Sequence, residues 1–417
     1  MTAAGVLRAL DRERYDVVPV GVSTDGRWVL AADDPAALEA QGAHLPSVDD
    51  SGPGVLVPTS TTDRALQVLR PGEVPVTLGD VDVVLPLLHG PFGEDGTLQG
   101  LLELGDVPYV GSGVLASAAS MDKHYMKVLL AGHGLPVGPY AVITPRQWAT
   151  DPEAALERLQ ALGYPMFVKP ARAGSSIGIT RVTEPSGLRA AIEEARRHDP
   201  KVVAEAAVVG RELECGVLQD PDGTPRASEV GEIEVLSGHD FYDFEAKYVD
   251  EEHVRLSCPA DVTPEVRARV QEIAVQAFDV MGCEGLARVD VFLTRDGDVV
   301  VNEINTMPGF TPHSMYPRMW AASGVDYPSL VDRLLQLALT PAVSVVPQGE
   351  RLGGVVARHE HLHGRHATVR DEPGAVVQRV DHPVDAVDGD AVLGGGARWR
   401  DPATPDDRRV TPGRHGR

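Results

Sequence analysis

The segment from Arg288 to Asn305 constrains the fold more than any other part of the chain. Arg288-Val289-Asp290-Val291-Phe292-Leu293 alternates polar and apolar residues, Asp296-Gly297 supplies a tight turn, and Val299-Val300-Val301-Asn302-Glu303-Ile304-Asn305 returns with the same β-branched character. This pattern predicts a β-hairpin. Strand side chains alternate, so Arg288 shares a face with Asp290 and Glu303 shares one with Asn305, and hairpin pairing can set the two groups together. Asp290, Glu303 and Asn305 would form an oxygen-only donor set without His or Cys. Such a set suits magnesium or manganese, which also take phosphate oxygens, and disfavours zinc. For any single Asp or Glu, a solvated strand face with ordinary salt bridges is the simpler reading. All four residues at this spacing point to a site.

A chain of 417 residues is too long for one ordinary core and predicts two or three packed units. Hydrophobic residues make up 43% and charged residues 24%, the composition of a globular α/β protein. The net charge of −23 weighs against nucleic acid and anionic membrane surfaces as partners. Cys215, Cys258 and Cys283 lie far apart without CxxC spacing and read as core residues in a reducing compartment. The charged start, MTAAGVLRALDRERYD, has no apolar leader segment, and no stretch approaches the roughly 18 uncharged apolar residues of a membrane helix, so a cytoplasmic location is expected.

Residues 1–118 read as a parallel, helix-flanked sheet, with a helix near Ala3 to Asp11, a strand from Asp16 to Val22 and a buried strand from Val81 to Leu88. Residues 119–205 read as a smaller unit that opens with Ser120 capping a helix toward Gly132. Residues 206–340 carry long strands, a helix started by Thr263-Pro264-Glu265 and an amphipathic helix near Ser329 to Leu339. The fold class expected is therefore α/β, with an α+β C-terminal part. Periodicity fades beyond residue 341, and a poorly ordered tail is expected there, its histidines His359, His361, His363 and His366 included.

Three further clusters carry chemistry. An apolar strand, Tyr164 to Pro170, delivers Lys169 to the small-residue loop that holds Gly174, Ser175 and Ser176. Close-approaching backbone N–H groups beside a buried lysine make a phosphate cradle; an ordinary flexible turn is the equal alternative. The run His89-Gly90-Pro91-Phe92-Gly93-Glu94-Asp95-Gly96 follows an apolar segment at what would be a carboxyl end of the sheet, where α/β proteins place ligands. Taken singly, Glu94 and Asp95 read as caps of the next helix. Phe241 to Tyr248 is too charged for a core strand and suits a loop closing over a site, or a surface strand.

Together and in this order, HGPFGEDGTLQG (89–100), MDK (121–123), FYDFEAKY (241–248) and RVDVF (288–292) with NEINTMPGFTPHS (302–314) closely resemble the D-alanine:D-alanine ligases of the ATP-grasp superfamily. The resemblance spans nearly all of residues 6 to 340. It implies a three-domain ATP-grasp fold with ATP between two antiparallel sheets and D-alanine sites facing the N-terminal part. It further implies that Lys123 and Lys169 meet the ATP phosphates, that Glu205 is the adenine-side acid and Glu212 the ribose-binding acid, and that Ser176 and Lys247 belong to the nucleotide-covering loops. Asp290, Glu303 and Asn305 match the ligands of two magnesium ions, with Glu303 as the bridge. Arg288 and the Gly309 N–H match the oxyanion-stabilising groups, and Ser314 and Met315 match the second substrate's carboxylate site. His89 matches a substrate contact, while Ser175 and Tyr248 match a pair that holds the closing loop. Relatives that make D-alanyl-D-lactate typically have a histidine in place of Tyr248, so dipeptide synthesis is expected. A homodimer is expected by analogy only.

The chain also departs from the pattern. The family usually has a lysine after Glu205, where this chain has Ala206. The opening strand, Gly- and Ser-rich turn and Glu-His segment of relatives have no counterpart before Thr2, so the N-terminal sheet is expected to be incomplete. The resemblance then implies that Met1 is not the native start, or that this copy is impaired in binding its first substrate. The rival readings are a D-alanine:D-lactate ligase, another ATP-grasp carboxylate–amine ligase, and a nucleotide-binding relative without catalysis.

Overall fold

The computed structural model describes residues 2–38, 48, 51–174, 177–235 and 254–340. Strands in the described residues form three sheets, and every ladder among them is antiparallel. The hairpin expected at the outset is present. Strand β13 (Leu286–Thr294) turns through Gly297, whose φ of 89° is open to glycine at little cost, and returns as β14 (Val299–Asn305). Between Asp290 and Val291 the register shifts, so Leu293 pairs with Val299 near the turn while Asp290 pairs with Glu303 and Arg288 with Asn305 beyond it. That β-bulge is decisive. Without the extra residue, Arg288 and Asp290 would oppose Ile304 and Asn302, and Glu303 and Asn305 would face the other side.

The hairpin continues a five-stranded sheet through β10 (Gly210–Gln219), β11 (Pro225–Val235) and β12 (Val254–Ser257), in the order β12-β11-β10-β13-β14. One face is apolar: Leu213, Cys215, Val217, Val289 and Val291 pack with Val270, Ile273, Ala277 and Phe278 of the long helix Pro264–Met281. Thr263 caps that helix by accepting from the Val266 N–H, and Pro264 opens it, as the Thr-Pro-Glu sequence predicts. The other face holds the alternating residues Glu212, Glu214, Arg288 and Phe292. A second, four-stranded sheet takes the order β6-β9-β7-β8, with β6 Tyr140–Ile143, β7 Met166–Pro170, β8 Thr180–Val182 and β9 Val202–Ala206. Its own cluster includes Trp148, Leu159, Leu188 and Ile192 from the flanking helices.

The N-terminal part differs from the expected parallel sheet. Five short strands between Val20 and Asp80 form an antiparallel meander, since chain-adjacent strands joined by tight turns such as those at Gly26 and Gly72 can pair only in that sense. The strand expected from Asp16 is confined to Val20–Val22. The apolar run Val81–Leu88 is extended but outside any sheet, its one bridge, a parallel one, joining Val84 to Tyr109. Its side chains still alternate: Val83, Leu85 and Leu87 pack on the cluster around Phe310 and Trp320, while Val84 and Leu88 pack on Leu98 and Leu102. Burial on both sides gives the run its apolar character without a full ladder. The first helix is Thr2–Ala9.

The helix after residue 122 is capped by Asp122, which accepts from the His124 and Tyr125 N–H groups, and not by Ser120. Ser120 lies inside the preceding helix, Val114–Met121. Asp offers the stronger acceptor at the helix N-terminus and is itself held by Lys201. The C-terminal helix is Tyr327–Leu339, capped by Asp326. No helix among the described residues is long and apolar enough to cross a membrane.

The helix Met315–Ala322 crosses the sheet at Gly216, where an added Cβ would come within 3.0 Å of both Tyr316 and Trp320. Trp320 is fully buried. Trp320→Ala is expected to cost about 3–5 kcal/mol of stability in urea denaturation; a loss below about 1 kcal/mol would show that this helix is held by other contacts.

Candidate active site

Facing strands of the two antiparallel sheets enclose a cleft of about 1200 Å³. Phe167, Lys169 and Glu205 line it from the four-stranded sheet, and Glu212, Glu214, Arg288, Phe292 and Glu303 from the five-stranded sheet. The end of one helix contributes Ser120 and the start of the next Lys123, and the loops at 89–94 and 305–315 line one end.

The four-stranded wall is cationic. Lys169 on β7 lies 2.9 Å from Glu205 Oε2, and Lys127 lies 3.4 Å from Oε1, an ion-pair distance without hydrogen-bond alignment. Burial opposes the charge on Glu205, but the ammonium groups of Lys169 and Lys127 outweigh it and hold the carboxyl below its ordinary range. Lys127 is itself fully buried, and burial lowers its pKa against the pull of Glu205. Lys123 donates to the Ala173 carbonyl at 3.0 Å and lies 3.4 Å from Glu303 across the cleft. Lys123 and Lys169, the two lysines expected to meet phosphate oxygens, thus share one wall. Lys127 escaped the sequence reading, although its spacing of four from Lys123 places both on one helix face.

The opposite wall is anionic around one buried guanidinium. Arg288 donates to Asp290 through Nε and Nη2, both at 2.7 Å, and Nε lies 3.2 Å from Glu214 Oε1. Burial works against its charge, yet Asp290 and Glu214 more than compensate and hold Arg288 protonated well beyond its ordinary range. Asn305 Nδ2 lies 3.0 Å from Asp290 Oδ2. Asp290 is 3% exposed and sits beneath the guanidinium, while Glu303 and Asn305 reach the cleft directly. Among the described residues, no three His, Cys, Asp or Glu side chains form a ready-made metal cage. The set Asp290, Glu303 and Asn305 still fits a hard divalent cation: its donors are oxygens, Asp290 and Glu303 are directly paired across adjacent strands, and Asp290 is held in place by its arginine. Glu214 was not singled out by sequence, though Glu212-Leu213-Glu214 alternates as a strand does.

Two loops meet at Met307. His89 Nδ1 lies 3.1 Å from the Met307 carbonyl, and burial lowers the His89 pKa, favouring a neutral ring that donates there. Glu94 accepts from the Gly90 N–H at 2.6 Å and the Met307 N–H at 3.4 Å. Burial raises its carboxyl from 4.5 to about 7. The helix-cap reading therefore fails for Glu94, which turns into the cleft, and holds in part for Asp95, which accepts from the Phe92 and Thr97 N–H groups. Beyond Gly309, Ser314 Oγ and Thr311 Oγ1 bond at 2.7 Å, and Met315 lies under β11, its Sδ 2.5 Å from where a Cβ on Gly231 would stand. Gly309, Ser314 and Met315 all line the cleft. Ser175, Ser176, Lys247 and Tyr248 lie outside the described residues, as does everything after residue 340.

The family models described as D-ala D-ala ligase N-terminus and D-ala D-ala ligase C-terminus match residues 1–112 and 129–336. A D-alanine--D-alanine ligase of Kineococcus radiotolerans is 64% identical over 347 residues, which cover 81% of this chain and 92% of that protein. One from Pseudarthrobacter chlorophenolicus is 58% identical over 342 residues, 81% of this chain and 89% of its own. Among solved structures, the D-alanine-D-alanine ligase of Coxiella burnetii matches with a TM-score of 0.68 at 35% identity, over 81% of this chain and 88% of that one. The VanG D-Ala:D-Ser ligase of Enterococcus faecalis matches with a TM-score of 0.69 at 35% identity, over 81% and 94%. An oxygen-ligand hairpin facing a lysine-bearing sheet, read with this identity over most of the chain, makes the protein a member of the D-alanine–D-alanine ligase family.

Proposed function

We propose that this chain joins two D-alanine molecules into D-alanyl-D-alanine for peptidoglycan synthesis, with ATP as phosphoryl donor. The observation that carries this reading is the cleft itself, where Lys123 and Lys169 face Arg288, Asp290 and Glu303 between two antiparallel sheets. Its size accommodates a nucleotide together with small substrates.

In this reading Glu205 and Glu212 hold adenine and ribose, and Lys123 and Lys169 take the phosphates. One D-alanine carboxylate oxygen attacks the γ-phosphorus, the bond to the β-phosphate oxygen breaks, and ADP and an acyl phosphate result. The second D-alanine, its carboxylate at Ser314 and Met315, attacks the acyl carbon through its amine. Arg288 and the Gly309 N–H stabilise the oxyanion of the tetrahedral intermediate; inorganic phosphate then leaves and the amine loses a proton. His89 contacts substrate, Ser176 and Lys247 contact the nucleotide, and Ser175 and Tyr248 hold the closing loop that excludes water. Two Mg²⁺ or Mn²⁺ ions held by Asp290, Glu303 and Asn305 would neutralise phosphate charge. Residues 1–118, 119–205 and 206–340 are proposed as the three domains.

Phosphate release should depend on D-alanine. Asp290→Ala and Glu303→Ala are each expected to lower it by about 10²-fold or more; release independent of D-alanine would refute ligase activity. With D-alanine and D-lactate in competition at neutral pH, the Tyr248 reading predicts dipeptide as the product, and a depsipeptide product would sink it. The fold alone does not choose the second substrate, since a D-Ala:D-Ser ligase shares it at the same 35% identity as a D-Ala:D-Ala one.

Glu94 contacts Met307 two residues before the proposed oxyanion donor Gly309, so its protonation bears on that turn. Its folded pKa of about 7 exceeds the ordinary 4.5, so between these values the folded protein keeps a proton that the unfolded chain has lost. Stability from this group is complete below pH 4.5 and declines as pH rises toward 7. The wild type should lose on the order of 3 kcal/mol more than Glu94→Gln between pH 4.5 and 8 in urea denaturation. Parallel pH profiles would contradict this.

A further inference from the structure

Resting on the reading of Arg288 as an oxyanion-stabilising group, we propose that Glu214 is a positioning residue that keeps the Arg288 guanidinium in place while Asp290 serves a divalent cation. Asp290 gives both of its oxygens to Arg288, at 2.7 Å each. A cation drawing on the same carboxylate competes with the guanidinium for its charge and lone pairs. Arg288 is also repelled by that cation, and its surroundings are too buried for water to make up the loss. Glu303, the next acid in the neighbouring strand, would be drawn on by the same cation. Among the described residues, Glu214 is the other acid ion-paired with Arg288. It stands opposite Asp290 in the ladder between β10 and β13, is 3% exposed, and holds Nε of Arg288 at 3.2 Å from the side away from β14.

The ladder makes this division of labour geometric. Three adjacent strands place Glu214, Asp290 and Glu303 in one row, with Arg288 hydrogen-bonded to Asp290 and ion-paired with Glu214. The row's β14 end meets Lys123, and its β10 end carries the ion pair with the guanidinium. In the proposal, Glu214 keeps its ion pair with the arginine while Asp290 and Glu303 exchange theirs for the metal. A buried ion pair that would add little to stability has a use here, because it fixes the direction of a charge the reaction needs.

The test compares Glu214→Gln, Glu214→Asp and Arg288→Lys in the full-length protein. Four quantities are measured: kcat, ADP affinity by calorimetry, the Mg²⁺ concentration for half-maximal rate, and affinity for a phosphinate mimic of the tetrahedral intermediate. Glu214→Gln should lower kcat and phosphinate affinity by the same factor, about 10- to 100-fold. ADP affinity and the Mg²⁺ midpoint should stay within about twofold of wild type, and Glu214→Asp should keep more of both lost quantities than Glu214→Gln. Wild-type kcat and phosphinate affinity in Glu214→Gln would overturn the proposal. So would a shifted Mg²⁺ midpoint, which would make Glu214 a metal ligand, or an equal loss of ADP affinity, which would make its role structural. If Glu214→Gln does not unfold cooperatively, Glu214→Asp decides on the same readouts, and parity with wild type overturns the proposal. Full activity in Arg288→Lys would instead refute the role of Arg288 itself, whatever the Glu214 variants do.

Discussion

The charge on Arg288 organises one wall of the cleft. A guanidinium cannot lie buried without anions, and anions cannot lie buried without it, because each alone would forfeit several kcal/mol of hydration. The arginine and its partners Glu214 and Asp290 come from two adjacent strands, and Asn305 joins from a third. The ladder thus delivers to one point the groups that compensate one another. Removing any one leaves the others exposed to the low dielectric around them, so the cluster acts as a unit.

The facing wall solves the opposite problem. Lys169 and Lys127 both lean on Glu205, and Lys123 reaches over to Glu303. Each cation is matched by an acid, and each acid is one that the proposed chemistry reassigns. A triphosphate entering between the walls offers the lysines new partners, and a divalent cation does the same for the acids of the hairpin. Exchange of partners keeps the count of unpaired buried charges low at each stage, which is how a site can hold so much charge without collapsing or swelling.

Much of this was legible before any coordinates. The hairpin was readable because alternation and an Asp-Gly turn are local signals, and the helix begun by Thr263-Pro264-Glu265 for the same reason. Lys169 at the end of an apolar strand was visible too. The misreadings came from reach. Val81–Leu88 has the apolar continuity of a parallel strand, but burial on two sides produces that pattern with or without a ladder. Ser120 and Asp122 are both capping residues two positions apart, and only the helix break between them decides. Glu94 and Asp95 are adjacent and chemically alike, yet one turns to Met307 and the other to its own loop. Lys127 and Glu214 act through partners 78 and 74 residues away in sequence, Glu205 and Arg288, so nothing beside them marked them out.

By itself, the order of residues determined which chemistry the chain can carry: oxygen donors on a hairpin, lysines on strand and helix, and small residues where backbone must come close. Local propensities and spacing act over a few residues and need no partner to be read. Tertiary structure decided which of these groups meet. The bulge after Asp290 is the clearest case, since one unpaired residue turns Glu303 and Asn305 to the face that Asp290 and Arg288 occupy. A register is a relation between two strands and the layers packed on them, and the energy that selects it, burial of Val289, Val291 and Ile304 on the far side, is gathered only when the sheet is assembled.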